Sequence, residues 1–154
     1  MKIYRNNYLN QHTPFLMSYE TLTAKEEILH QIAQDYVLKG LGEKNFDVIP
    51  YDDNVVLRTP LCPGGSEKPL KGKENLRTQW WAPLPGLVGK VLLIDSYVNK
   101  QNSAVTVEFH CEIINPLCTL RVIDRFVIND EGKITEQENF FDPRDVTHPG
   151  TKQV

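Results

Sequence analysis

The chain predicts an α+β fold, with a long N-terminal helix and shorter helical pieces packed on one face of a curved antiparallel sheet. Three observations carry that prediction. TAKE at residues 23–26 is a capping box, in which the Thr23 hydroxyl can cap the amide three residues on and Glu26 can reach back. Ile28, Leu29, Ile32, Ala33 and Tyr36 then recur at helical spacing and make one apolar stripe. From Val88 onward the periodicity changes to two, in VGKVLLIDSYV, AVTVEFHCEII and the closing LRVIDRFVINDEGKITEQENFFD, with turn residues between the runs.

Taken in order, residues 1–22 form an arm whose Tyr4, Tyr8, Phe15, Leu16 and Tyr19 are too aromatic for a disordered tail and suit packing on the domain or on a second subunit. The helix starts at Thr23 and stops at Gly40 or Gly42. FDVIPYDDNVVLRTP gives a turn at Asp52 and Asp53 and a short β-run through Val55, Val56 and Leu57. LCPGGSEKPLKG holds too many prolines and glycines for a regular element, and KENLRTQWWAPL forms a short helix ended by Pro83 and Pro85. Four β-runs follow, with turns at residues 99–103, at Asn115 and Pro116, and at residues 129–132. The domain covers residues 23–146, and residues 147–154 form a tail.

Composition narrows the function classes. A chain of 154 residues fits one domain, and one of this size buries roughly two thirds of its unfolded surface. No window approaches the roughly 18 apolar residues of a membrane span, so no membrane insertion is expected. Net charge is −3 and the basic residues are scattered, which gives no electrostatic footprint for nucleic acid. Cys62, Cys111 and Cys118 fall in no paired spacing, and the first residues lack the apolar run of a signal peptide, so a reducing cytoplasm is the expected setting. No metal is expected, because His12, His30, His110 and His148 lie on separate elements without ligand spacing; the absence of GxSxG, Walker and GxGxxG motifs gives no expectation of a cofactor either.

The chemistry-bearing candidates come from strand parity. On the run from Arg121 to Ile128, Val122, Asp124, Phe126 and Ile128 share a face, so Asp124 is one carboxyl among apolar neighbours. It must find a partner or hold its proton, and a cavity that desolvates it makes it a general acid or base. His110 shares a face with Thr106, Glu108 and Glu112, while Val105, Val107, Phe109, Cys111 and Ile113 form the other. If the polar set lines a wet cavity, His110 shuttles protons with Glu108 or Asp35 orienting it; if the apolar set packs under the helices, which the alternation alone favours, His110 lies on a solvated or dimer-facing side. Asp35 sits about 90° from the centre of the helix stripe, at the margin between core and water. Trp80 and Trp81 are adjacent on a short helix and cannot both face inward, so one packs in the core and the other lines the cavity mouth or a subunit contact. Tyr51, Arg58, Tyr97 and Asn139 complete the expected ligand-binding set. Thr135, Gln137 and Asn139 share one face of the last strand, and Arg58, Arg77 or a tyrosine is a candidate partner for Asp124.

The order of elements and the closing phrase DRFVINDEGKITEQENFFD resemble the NTF2-like superfamily, whose SnoaL-like members end in a D.F...GKI.e....yFD pattern. The resemblance covers residues 23–146 and implies a cystatin-like α+β cone whose interior serves many chemistries. SnoaL-like members are cofactor-free cyclases with an acid on the penultimate strand, where Asp124 stands. Phe109 and His110 are similar to the aromatic and histidine of scytalone dehydratase-like proteins, and AQDYVLKG, with Asp35, resembles their pocket-lining helix. The last-strand acid of limonene epoxide hydrolase-like proteins is replaced here by Asn139. The function expected from this resemblance is a cofactor-independent lyase, isomerase or cyclase that uses Asp124 on a small, apolar, oxygenated molecule. A non-catalytic ligand-binding or dimerisation domain is the alternative, and a homodimer is expected in either case.

Overall fold

The computed structural model describes residues 22–148; the proposed arm, up to residue 21, and the end of the tail lie outside them. Helix α1 (Ala24–Asp35) starts on the capping box read from sequence, with Thr23 Oγ1 accepting from the Glu26 amide at 3.2 Å and Glu26 Oε2 accepting from the Thr23 amide at 2.6 Å. The chain continues helically through Gly42, but Tyr36–Gly42 widens into a π-turn. Such turns occur as local bulges that re-aim side chains. Here the π-turn carries Tyr36, Val37 and Leu41 into the core.

Strand β1 (Tyr51–Arg58) starts earlier than the apolar run suggested, because Asp52 and Asp53 lie in the strand; its register with its neighbour shifts between Tyr51 and Val56. The Pro/Gly-rich stretch is irregular apart from a short helical turn and the two-residue β2 (Leu70–Lys71). Next come the helical pieces α2 (Lys73–Asn75), which runs on through Leu76–Trp81, and α3 (Leu84–Leu87). Strands β3 (Val88–Val98), β4 (Ala104–Ile113), β5 (Cys118–Ile128) and β6 (Ile134–Phe140) then form the body of the sheet, and α4 (Arg144–Thr147) closes the described residues. The β5–β6 turn is tight, with Gly132 at φ 75° and Asn129 Oδ1 accepting from the Glu131 and Lys133 amides.

The sheet has six strands in the order β2-β1-β6-β5-β4-β3. It is antiparallel except that β1 runs parallel to β6, a pairing the sequence reading did not anticipate. Bulges in β3 between Val88 and Val91 and between Leu93 and Asp95 break its pairing with β4, and such breaks bend a sheet and strengthen its twist. Parity then sets the two faces. Val105, Val107, Phe109, Cys111 and Ile113 of β4 and Leu120, Val122, Phe126 and Ile128 of β5 are buried under the helical layer. Thr106, Glu108, His110, Arg121, Ile123 and Arg125 point the other way. Tyr36 joins the layers, its ring edge-on to Phe126 at 4.8 Å and to Phe109 at 6.3 Å between centroids.

Candidate functional site

A cavity of about 220 Å³ opens between the inner sheet face and the helical layer. Its floor comes from alternate residues of β4, β5 and β6: Phe109, Cys111, Val122, Asp124 and Asn139. Its walls and mouth come from Leu61, Cys62, Trp80, Leu84, Leu87 and Val146. The lining is chiefly apolar, with the polar groups Tyr36, Asp124 and Asn139 from the helix and strands of the core, Gln79 from the helical stretch after α2, and Thr59 and Asn115 from connecting segments. Among the described residues no Lys, Arg or His lines it.

Asp124 is 1% exposed. β5 places it opposite Asn139 of β6 and opposite Val107 of β4, so it stands in the middle of the inner face with no cation on either side. Burial raises its carboxyl from the usual carboxylate range to about 7, while Asn139, Tyr36 and Gln137 pull more weakly the other way. These three are near enough to favour the ionised form, yet none closes a hydrogen bond of ordinary length and angle; both carboxyl oxygens and Asn139 Oδ1 are unpartnered among the described residues. Buried polar atoms are nearly always satisfied, so three open ones on a cavity floor mark a place built for a ligand or for water.

The second layer of the site is a chain of neutral groups. Tyr51 donates its hydroxyl to Gln137 Oε1, and Gln137 Nε2 donates to the Tyr36 hydroxyl at 3.0 Å. Burial first, and then the nearby Asp124 charge, hold both phenols well above their ordinary pKa, so near neutral pH they act as hydrogen-bond donors. The Cys111 thiol is likewise pushed up to about 11, chiefly by burial, so it is an apolar wall and not a thiolate. Cys62, Cys111 and Cys118 are all free thiols.

The structure separates the remaining sequence candidates. Asn139 lines the cavity, as does Trp80, while Trp81 is buried against Phe46 in the core. Tyr51 is buried behind the cavity and reaches it only through Gln137. His110 and Glu108 are corrected: they occupy the outer face of β4, because the apolar set of that strand is the one packed under the helices. Asp35 stays at the helix margin, accepting from Gln31 at 2.8 Å and pairing with Lys39 at 3.0 Å, and does not line the cavity. Arg58 cannot pair with Asp124. It lies on an outer groove with Lys71, Arg125, Glu136 and Glu138, where its guanidinium donates to the Ser66 carbonyl. Tyr97 is 54% exposed on the outer face. Tyr36 and Gln137 are the residues that strand and helix reading passed over as site members. Tyr36 was hidden in the apolar stripe, whereas the parity of Gln137 with Asn139 was the signal that could have found it.

Among the described residues no group of three or more His, Cys, Asp and Glu is placed to hold a metal, and no helix is long and apolar enough to cross a membrane. No protein-family model matches the chain, and no curated relative matches it. Solved structures do. A putative polyketide cyclase from Xanthomonas campestris pv. campestris superposes with a TM-score of 0.64 at 13% identity, over 79% of this chain and 96% of that one. A steroid delta-isomerase from Pseudomonas aeruginosa gives 0.61 at 18% identity, over 80% and 84%. An NTF2-like protein of unknown function from Cytophaga hutchinsonii gives 0.54 at 14%, over 82% and 96%. The fold and its curved sheet therefore define an NTF2-like α+β cone. A cyclase, an isomerase and a protein of unknown function share that cone at similar distances from this chain, so the function has to be argued from the cavity.

Proposed function

We propose that the protein is a cofactor-independent lyase, isomerase or cyclase that moves a proton on a small, neutral, largely apolar molecule carrying a carbonyl or hydroxyl oxygen. One observation carries this reading: a fully buried carboxyl with both oxygens open, on the floor of an apolar cavity lined by no Lys, Arg or His among the described residues. The absence of a cationic lining disfavours carboxylate or phosphate ligands, because their charge would be desolvated without a partner and set against Asp124. Asp124 with a pKa of about 7 populates both forms near neutrality, where a group exchanging protons in both directions works best. In the ionised form it takes the proton from a carbon next to the carbonyl; the C–H electron pair moves into the enolate, whose oxygen accepts from Tyr36. The protonated form then returns the proton to another carbon, or to a departing hydroxyl. A carboxylic acid kept neutral by burial can also donate a hydrogen bond to the same oxygen. The isomerase and cyclase among its structural neighbours lend this chemistry support by analogy.

The test is hydrogen–deuterium exchange at carbon, followed by NMR in D2O, with a panel of neutral cyclic ketones and enones. The protein should catalyse exchange in at least one of them, and Asp124→Asn should slow it by about 10²- to 10⁴-fold while the fold is retained. Saturable ligand binding without exchange in any compound would instead make the cavity a binding module.

A second reading coexists with the first. Leu92, Tyr97, Ile123 and Phe140 are exposed on the outer sheet face among charged neighbours, the mixed composition of a contact surface. We propose a homodimer through this face. Light scattering on the eluting protein should give twice the chain mass, and Ile123→Arg should return it to one.

A further inference from the structure

We propose that Gln137 is a positioning residue, locked by Tyr51, that commits the Tyr36 hydroxyl hydrogen to the Asp124 side of the cavity. Gln137 is 1% exposed and lies on β6 two residues before Asn139, so it belongs to the inner face but stands behind the cavity floor. Both ends of its carboxamide are used: the carbonyl accepts from Tyr51 and the amino group donates to Tyr36. A phenol has one hydrogen to give. Once the Tyr36 oxygen is an acceptor from Gln137, its own hydrogen is left for Asp124, or for a bound oxygen in the same place.

The opposite orientation of the amide is disfavoured by Tyr51. With the carboxamide turned by half a revolution, the amino group would face the Tyr51 oxygen, and the Tyr51 hydrogen would be left without an acceptor in the core. The Gln137 carbonyl would capture the Tyr36 hydrogen, and Asp124, whose oxygens already lack a closed hydrogen bond, would face no donor on that side. In the observed arrangement Tyr51 gives to Gln137, Gln137 gives one amino hydrogen to Tyr36 and has Asp124 near the other, and Tyr36 is free to give its own hydrogen to Asp124. Tyr51 thus controls a carboxyl it does not touch, through the direction of one amide.

The inference rests on the proposed role of Asp124 only for its consequence in turnover; the geometry is tested without it. In the unmodified protein, the Gln137 side-chain amide hydrogens should show NMR cross-relaxation to the Tyr36 ring hydrogens, and cross-relaxation to the Tyr51 ring instead would overturn the proposal. The Asp124 carboxyl carbon, recognised by its loss in Asp124→Asn, should then be titrated in the parent, in Tyr51→Phe and in Ile134→Val, a core change on β6, the strand that carries Gln137. Tyr51→Phe frees the amide to turn and takes the Tyr36 hydrogen away from the carboxylate, so the Asp124 pKa should rise by about one unit, while Ile134→Val leaves it in place. An unchanged titration in Tyr51→Phe, or an equal shift in Ile134→Val, would overturn the positioning role. If Tyr51→Phe does not fold, the cross-relaxation measurement decides alone. Where the parent catalyses carbon exchange, Tyr51→Phe should lower kcat roughly tenfold at constant KM. A parent without turnover refutes the catalytic reading and leaves the amide orientation to stand or fall on the NMR results.

Discussion

The two faces of one sheet lie one residue apart along each strand and carry opposite chemistry, charged on the outside and apolar within. On the outer face Glu108, His110, Arg121, Arg125, Glu136 and Glu138 alternate across β4, β5 and β6, each at least partly open to water, with Arg125 directly opposite Glu138. One residue along the same strands, the inner face carries a single carboxyl, Asp124, with Val107 on one side and Asn139 on the other. Burial among apolar neighbours, not residue type, is what lifts the Asp124 carboxyl towards neutrality. A sheet one residue thick separates the outer face from this carboxyl, whose pKa is pushed to about 7.

That contrast can be broken most forcefully through packing. Phe126 is fully buried on the inner side of β5, and Ile123 is 43% exposed on the outer side. Phe126→Ala should cost about 3–5 kcal/mol in chemical denaturation, whereas Ile123→Ala should cost under about 1 kcal/mol once the protein is held as a monomer. Equal costs would mean that the outer face is as enclosed as the inner one.

The next effect in size is the pH dependence of stability. A carboxyl whose pKa is about 7 folded and about 4 unfolded keeps its proton in the fold while the unfolded chain loses its own, so its contribution to stability falls as pH rises from about 4 to about 7 and is level above that. Asp124→Asn removes this slope and should raise stability at pH 8 by roughly 2–4 kcal/mol, measured by urea unfolding across pH. A mutant whose profile runs parallel to the parent's would show that the carboxyl is not buried in its acid form. The smallest expected effect belongs to the outer face: His110→Ala should change stability by less than about 0.5 kcal/mol and leave carbon exchange as it was. A large loss of exchange in that variant would bring the outer face back into the site.

How far the site was legible follows residue by residue. Asp124 was visible because one acid in a period-two apolar run stands out whatever it packs against. Asn139 and Gln137 were visible only as a shared face, since nothing in TEQENF says that this face meets Asp124; the pairing of β5 with β6 makes it so. His110 misled because its likeness to a dehydratase histidine pulled against the alternation of its own strand, which favoured packing the apolar set under the helices. Tyr36 was read as stripe, because its phenol is apolar on the ring and polar at the tip, and only its place between Phe126 and Gln137 shows which part matters.

The sequence by itself determined the local terms: the capping box that starts α1, the Gly132 turn that closes the last hairpin, the period-two faces of β3 to β6, and one carboxyl set among apolar residues. These are legible because they depend on neighbours within about four residues or on strict alternation. Tertiary structure alone decided which face became the interior, that β1 lies parallel to β6, and that Tyr36, Gln137 and Tyr51, from three separate elements, meet behind Asp124. Those outcomes depend on where the helical layer settles on a bent sheet. Gln137 and Tyr36 are 101 positions apart, and no periodicity carries information across that distance.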